Sequence, residues 1–271
     1  MVKQGPRHRF KKRFGQNFLQ DRHVIERILV AAELHAGDAV VEVGPGRGAL
    51  TEPLLAATGN VTVCEIDPDL IAYWKERALT GLKVLEGDVL EHDWQAVFAA
   101  PPYKMVANLP YNISTPILFK LIEHRALFSR MVLMFQREVG ERLLAVPGNK
   151  DYGILSVLLQ VWYDISKVVL VKPGAFFPPP KVDSLVLRFV PLAQPRVKLG
   201  GWEHFCRVVK AAFAQRRKSL RNTLCSGGWE REQVVPALER AGIDSARRAE
   251  TLSLDEFSSL SVALAEVNEE R

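Results

Sequence analysis

The stretch "AVVEVGPGRGALTEPLLAA" (39–57) decides the fold. It opens as an apolar run of strand length, in which Glu42 is the one charge before the turn. Such a run suits a strand buried on both faces. Gly44, Gly46 and Gly48 follow, and glycines there let the backbone turn tightly and approach a ligand closely. Residues 48–57 then read as a helix, whose first N–H groups face the same turn. Strand, glycine turn and helix in this order begin a βαβ unit.

The pattern repeats outward in both directions. Upstream, Asp21 caps a helix in which Val24, Ile25, Ile28, Leu29 and Ala32 recur at helical spacing. Downstream, strands are expected at 61–67, 82–88, 104–110 and 130–138, with helices between them. Asp67-Pro68 supplies a cap and a first-turn proline, and Ser114 is expected to cap the helix that runs to His124. Helical pieces fall at 139–145 and 152–162. Two further strands, 167–173 and 184–190, are joined by a proline-rich link and make an antiparallel edge hairpin. The fold class is therefore α/β, a mostly parallel seven-stranded sheet with helices on both faces. In such sheets ligands lie beyond the carboxyl ends of the strands.

After Pro191 the strands stop. Residues 202–224 carry an amphipathic helix pattern, 230–240 and 255–267 look helical too, and Ser253 with Glu256 makes a capping box. The expected division is a first domain over 1–195 and a small all-helical domain over 196–271. Neither internal repeats nor low-complexity tracts occur.

Composition limits the function. No apolar run reaches the roughly 20 residues of a membrane helix, and the basic N-terminus lacks the apolar core of a secretory signal. Three scattered cysteines (Cys64, Cys206, Cys225) suit neither a disulfide framework nor a zinc site, so a cytoplasmic protein is expected. The net charge is +5 and uneven. Residues 1–22 hold seven basic side chains against one acid, and residues 196–225 hold eight against one. Two such clusters point to a polyanion partner.

The glycine turn leaves its ligand open. Gly44, Gly46 and Ala49 fit the dinucleotide pattern G-x-G-x-x-G/A. Gly44, Gly46 and Gly48 fit the E-x-G-x-G-x-G pattern of methyltransferases that use S-adenosylmethionine. Either ligand has a ribose, and Glu65 ends the second strand where a carboxylate can accept its hydroxyls. Asp88 ends the third strand and can accept from an adenine amino group.

"NLPY" (108–111), at the end of the fourth strand, separates the two. A dehydrogenase has no need of it. A purine amino group is a poor nucleophile because its lone pair is delocalised into the ring, and two acceptors aimed at its N–H bonds would redirect it. The Asn108 side-chain oxygen and the Leu109 carbonyl can be those acceptors, with Pro110 fixing the turn. Tyr111 gives the base a face to stack on, worth about 1–3 kcal/mol. Taken alone, Asn108 is a turn residue and Tyr111 a core filler. The glycine turn upstream favours the site. "APPY" (100–103) has no acceptor at Ala100 and precedes a strand, so it reads as a loop. "AFFPPPKVDS" (175–184) adds Phe176 and Phe177 before a stiff turn that can hold one of them against a flipped base.

Seven segments, "FGQNFL" (14–19), "EVGPGRGALT" (42–51), "EID" (65–67), "GDVL" (87–90), "NLPYNIS" (108–114), "FFPPPKVDS" (176–184) and "AFAQRRKSLRNTL" (212–224), together resemble the ribosomal RNA adenine dimethyltransferases, the KsgA family. The resemblance covers nearly the whole chain and implies a Rossmann-like class I methyltransferase domain. It implies S-adenosylmethionine as donor and no metal. The implied substrate is two adjacent adenosines, each methylated twice on N6, in a hairpin loop near the 3′ end of small-subunit (16S) ribosomal RNA. By this match Asn17 and Leu19 close over the donor, Gly44 lies under it, Glu65 holds its ribose and Asp88 its adenine. Asn108 borders donor and target, Glu42 orients the methionine end, and Phe176 matches the stacking aromatic. Arg13, Arg216, Arg217, Lys218 and Arg221 are expected to grip phosphates of a pre-ribosomal particle, the protein acting as a monomer. Three rival readings share some of these residues. They are a large-subunit RNA methyltransferase like the Erm enzymes, a non-catalytic nucleic-acid-binding factor and an NAD-dependent dehydrogenase.

Overall fold

The computed structural model describes residues 17–269. The chain divides into two compact units, one of residues up to Gly140 with Ile165–Pro191, the other of Glu141–Asp164 with Leu192 onward. The chain changes unit after Pro191. The transfer of 141–164 to the second unit was not legible as a linker.

The first unit opens with β1 (Phe18–Leu19) and α1 (Arg22–Ala32), followed by β2 (Ala39–Val43), α2 (Thr51–Thr58), β3 (Val61–Glu65) and α3 (Pro68–Arg77). Next come β4 (Leu82–Glu86), the short α4 (Trp94–Val97), β5 (Tyr103–Asn108), α5 (Ser114–Glu123), β6 (Phe128–Gln136) and α6 (Arg137–Leu144). Beyond α7 (Ile154–Trp162), the strands β7 (Tyr163–Val171), β8 (Phe176–Phe177) and β9 (Ser184–Pro191) complete the set.

Seven strands form one sheet in the order β4-β3-β2-β5-β6-β9-β7. The first five are parallel, and β9 runs antiparallel to β6, with Leu133 opposite Leu187. Val40, Val61, Val63, Val106, Val132 and Val186 from the strands pack with Ile28 of α1 and Leu54 of α2 in one core. β-branched side chains stack well on a pleated surface, which is why these runs form strands. The chain moves outward from β2 to β4, then returns to place β5 on the other side of β2. The carboxyl ends of β2 and β5 therefore flank the switch point, where open α/β sheets bind ligands.

The caps largely follow the sequence. The Asp21 side chain accepts from the Val24 N–H at 3.1 Å and that of Asp67 from Asp69 at 3.1 Å, with Pro68 opening α3. Ser114 differs: it is the first residue of α5, and its hydroxyl donates to the Pro110 carbonyl at 3.3 Å. Pro110 closes a turn just before the helix and leaves no extended residue in which a side-chain cap can form.

A second, two-stranded ribbon pairs β1 with β8, Phe18 opposite Phe177 and Leu19 opposite Phe176. The Gln20 N–H extends it to the Ala175 carbonyl at 2.8 Å. Two residues per strand are too few to show periodicity, so neither strand was expected.

The second unit contains α7, α8 (Trp202–Ala212), α9 (Leu220–Ser226), α10 (Arg231–Arg240) and α11 (Leu254–Glu269). Its helix α7 is apolar almost throughout and buried on nearly every side, as a helix without a polar face must be. Trp162 meets Trp202 and Tyr152 meets Phe213, both edge to face, which explains why 141–164 belongs here. The capping box is present, the Glu256 N–H bonding the Ser253 hydroxyl at 3.1 Å and the Ser253 N–H bonding Glu256 at 2.8 Å. One helix was expected over 202–224, but a turn at 213–219 separates α8 from α9. No apolar residue larger than alanine lies between Phe213 and Leu220, so this stretch has nothing to bury.

Candidate active site

A cavity of about 520 Å³ lies at the carboxyl ends of β2, β3, β4 and β5, within the range of small-molecule sites. Asn17, Leu19, Gly44, Glu65, Asp88, Asn108, Leu109 and Tyr111 all line it.

One wall is the glycine turn. Gly44, Gly46 and Gly48 have φ of +69°, +54° and +95°, the left-handed region that side chains disfavour. At Gly46 the absence of a side chain is also a spatial requirement. A Cβ there would lie 2.7 Å from the Phe18 ring. The Trp74 indole N–H donates to the Gly46 carbonyl at 3.1 Å and anchors the turn from beneath. The Arg47 guanidinium lies 5.7 Å from the Phe18 ring centroid, a cation–π contact.

Two carboxylates face this wall. Glu65 is 6 % exposed, and one of its oxygens accepts from the Ile66 and Asp67 N–H groups, both at 2.8 Å. These bonds hold the carboxylate at the strand end, where it can meet a diol. Glu42 is 2 % exposed, and the Thr51 hydroxyl donates to it at 2.6 Å. Burial pushes its carboxyl up to about 8, opposed by the Thr51 hydrogen bond and helped by the nearby Glu65 charge. Asp88 accepts from the Leu90 N–H at 2.9 Å, which turns the chain at the end of β4.

The facing wall is Asn108-Leu109-Pro110-Tyr111. The Asn108 Nδ2 donates to the Asn17 carbonyl at 3.0 Å. A carbonyl can only accept, so the amide nitrogen must face Asn17 and Oδ1 is turned the other way as an acceptor. The Ile113 N–H and the Ser114 hydroxyl both go to the Pro110 carbonyl. The turn therefore uses the proline's carbonyl and not that of Leu109. The Tyr111 hydroxyl and the Ser184 hydroxyl lie 3.0 Å apart in a hydrogen bond, which sets the tilt of the ring. Burial raises the Tyr111 pKa, with the Ser184 bond opposing it.

Phe176 departs from expectation. It is 4 % exposed, belongs to the core with Leu19, Val24 and Ile28, and does not line the cavity. Successive strand residues point to opposite faces, so its neighbour Phe177 is turned outward and 53 % exposed. Tyr103 of "APPY" opens β5 at the end opposite Asn108, as a loop-to-strand junction should. Sequence reasoning gave no role to Phe18, Trp74 or Ser184, whose contacts join distant segments.

Among the phosphate-gripping candidates, Arg216, Arg217 and Lys218 are exposed in the turn between α8 and α9, and Arg221 is half-buried in α9. Arg216 has a structural task, since its guanidinium donates to the Tyr152 carbonyl at 2.8 Å. Arg13 lies outside the described residues. Among the described residues no group of three or more His, Cys, Asp or Glu is placed to hold a metal, and no helix is long and apolar enough to cross a membrane.

A glycine turn, a buried strand-end acid and an amide wall at the switch point of this sheet define a Rossmann-like class I methyltransferase. Comparisons with known proteins narrow the class. The family model for "Ribosomal RNA adenine dimethylase" matches residues 7–266. The chain is 59 % identical over 253 residues to ribosomal RNA small subunit methyltransferase A of Syntrophotalea carbinolica, covering 93 % of this chain and 96 % of that one. It is 49 % identical over 263 residues to the protein of the same name from Geobacter sulfurreducens, covering 94 % and 95 %. Among solved structures it is similar to a dimethyladenosine transferase from Plasmodium falciparum, with TM-score 0.78, 28 % identity and coverage of 93 % and 98 %. It is also similar to the 23S rRNA methyltransferase ErmE, with TM-score 0.69, 27 % identity and coverage of 92 % and 100 %. The chain belongs to the ribosomal RNA adenine dimethylase family.

Proposed function

We propose that this enzyme dimethylates N6 of two adjacent adenosines in a hairpin loop near the 3′ end of small-subunit ribosomal RNA, using S-adenosylmethionine. The observation that carries the reaction is the Asn108 amide, whose nitrogen is held by the Asn17 carbonyl while its oxygen remains an acceptor. The small-subunit target is supported by the names of the relatives at 49–59 % identity, against 27 % for the large-subunit enzyme ErmE.

The cavity fits the donor. Glycines without Cβ atoms leave room beside Phe18, Glu65 offers a buried carboxylate for a ribose, and Asp88 lies at the next strand end for an adenine amino group. Asn17 and Leu19 on the ribbon side would cover it. When bound, S-adenosylmethionine supplies an electrophilic methyl on a sulfonium. The Asn108 oxygen and the Leu109 carbonyl would accept the two N–H bonds of the adenine amine and draw its lone pair out of conjugation with the ring. Tyr111 would stack under the base after it leaves the RNA. Positioning of this kind supplies much of a displacement reaction's acceleration. No general base is called for, because the amine's proton becomes strongly acidic once the methyl is on nitrogen and can leave to water.

Arg217, Lys218 and Arg221 would grip phosphates, with Arg13 contributing from the N-terminal arm. The enzyme would act as a monomer, on a pre-ribosomal particle in the cytoplasm. Incubation with labelled donor and unmodified small-subunit particles, followed by mapping of the label, tests this. Label on two adjacent adenosines is expected. Label on large-subunit RNA would favour the Erm-like reading, and no label the non-catalytic one.

A further inference from the structure

We propose that Phe177 is a stacking platform for the base next to the reacting adenine, outside the cavity. The proposal rests on the RNA-methylation reading above. Phe177 is one of five large apolar side chains left exposed among the described residues. Its place in the ribbon is defined. It stands opposite Phe18, whose ring lines the cavity and covers Gly46, and cross-strand partners project from the same face. Leu19 and Phe176 take the other face and sit in the core. The residue just before the ribbon, Asn17, is the one that holds the Asn108 amide. Phe177 is thus presented one cross-strand step from the segment that orients the reacting group.

The backbone beneath it is stiff. Gln20 bonds Ala175 on one side, and three prolines follow on the other. Seven residues on, Ser184 holds Tyr111, so one segment carries the outer ring and fixes the inner one. Lys181 is exposed on the same turn. An exposed ring with a cationic side chain four residues further along the same turn suits a nucleobase on its phosphate backbone better than an apolar protein surface. The physical need is clear. Extruding one adenine from a hairpin loop leaves its neighbour with a bare face, and a platform outside the cavity would restore that lost stacking. It would also hold the second adenosine ready while the first is methylated.

The test is the dissociation constant of synthetic hairpins carrying two adjacent adenosines, or one adenosine beside an abasic site, with S-adenosylhomocysteine present. Phe177→Ala should weaken binding of the intact hairpin about tenfold and leave binding of the abasic hairpin unchanged. Phe177→Tyr should restore affinity and Phe177→Leu should not. Donor binding by each variant, measured separately, should match the unaltered protein. Unchanged affinity in Phe177→Ala, equal loss on both hairpins, or full rescue by leucine would overturn the proposal. If the unaltered protein binds neither hairpin and methylates no small-subunit particle, the reading beneath the proposal fails, and the proposal with it.

Discussion

The two walls of the cavity are built differently. The glycine wall comes from one continuous strand, turn and helix, and its shape is set by backbone conformation at Gly44, Gly46 and Gly48. The amide wall is assembled from residues 17–19 and 108–111 and braced from behind by 176–184, through the Asn108–Asn17 and Tyr111–Ser184 hydrogen bonds and the β1–β8 ribbon. The first wall is local and offers backbone. The second is non-local and offers oriented side chains. Damage to the first should therefore appear in donor binding, and loss of the Asn108 acceptor from the second in turnover.

The sharpest way to separate them is Asn108→Ala. It removes one acceptor and leaves the glycine turn intact. A kcat loss on the order of 10²–10³ is expected, by analogy with loss of one aligned hydrogen-bonding group in other active sites. Donor affinity should stay within a few-fold. Equal loss of both in single-turnover and titration experiments would erase the distinction between the walls.

Gly46→Ala probes the other wall. The added Cβ must adopt φ near +54° and lies 2.7 Å from Phe18. Left-handed backbone costs roughly 1–2 kcal/mol for an alanine, so donor affinity should fall by about tenfold or more. Calorimetric titration would show it. Turnover at saturating donor should fall less than in Asn108→Ala.

Outside the cavity, Arg217→Glu with Lys218→Glu should weaken RNA binding without touching the donor. The dependence of log K on log salt should flatten by roughly 0.7–0.9 per lost phosphate contact. Arg216 is left out of this pair because it bonds the Tyr152 carbonyl, and its replacement would disturb the helical unit itself.

A separate test, of stability and not of activity, concerns Glu42. Its pKa is raised from the ordinary 4.5 to about 8, so the folded protein holds a proton that the unfolded chain releases. The stabilising contribution is full below pH 4.5 and is lost as pH rises through 8. Glu42→Gln keeps the neutral form at every pH. Its Tm should fall less than that of the unaltered protein between pH 5 and 9, and parallel Tm curves would contradict the assignment.

The same contrast explains what was legible in the sequence. The order of strands and helices was readable because each is a continuous apolar or periodic run, and Asp21, Asp67 and the Ser253–Glu256 box act within three residues of themselves. The glycine wall was readable for the same reason. Phe18, Trp74 and Ser184 were not, since each matters through a partner 28 or more residues away. Phe176 and Phe177 are adjacent and chemically identical, and only the ribbon's pleat tells which one is exposed. The turn at 213–219 was hidden because Phe213 and Leu220 happen to lie two helical turns apart.

The bond between the Asn108 amide and the Asn17 carbonyl spans 91 residues. A carbonyl at the front of the chain thereby decides which end of that amide greets the substrate. On the proposed reading, enclosing the methyl donor and arming the nucleophile's partner become a single mechanical event. With the ribbon unzipped, the amide would be at liberty to flip and offer hydrogens where oxygen is required. Readiness to react is in this way tied to the docking of one short strand.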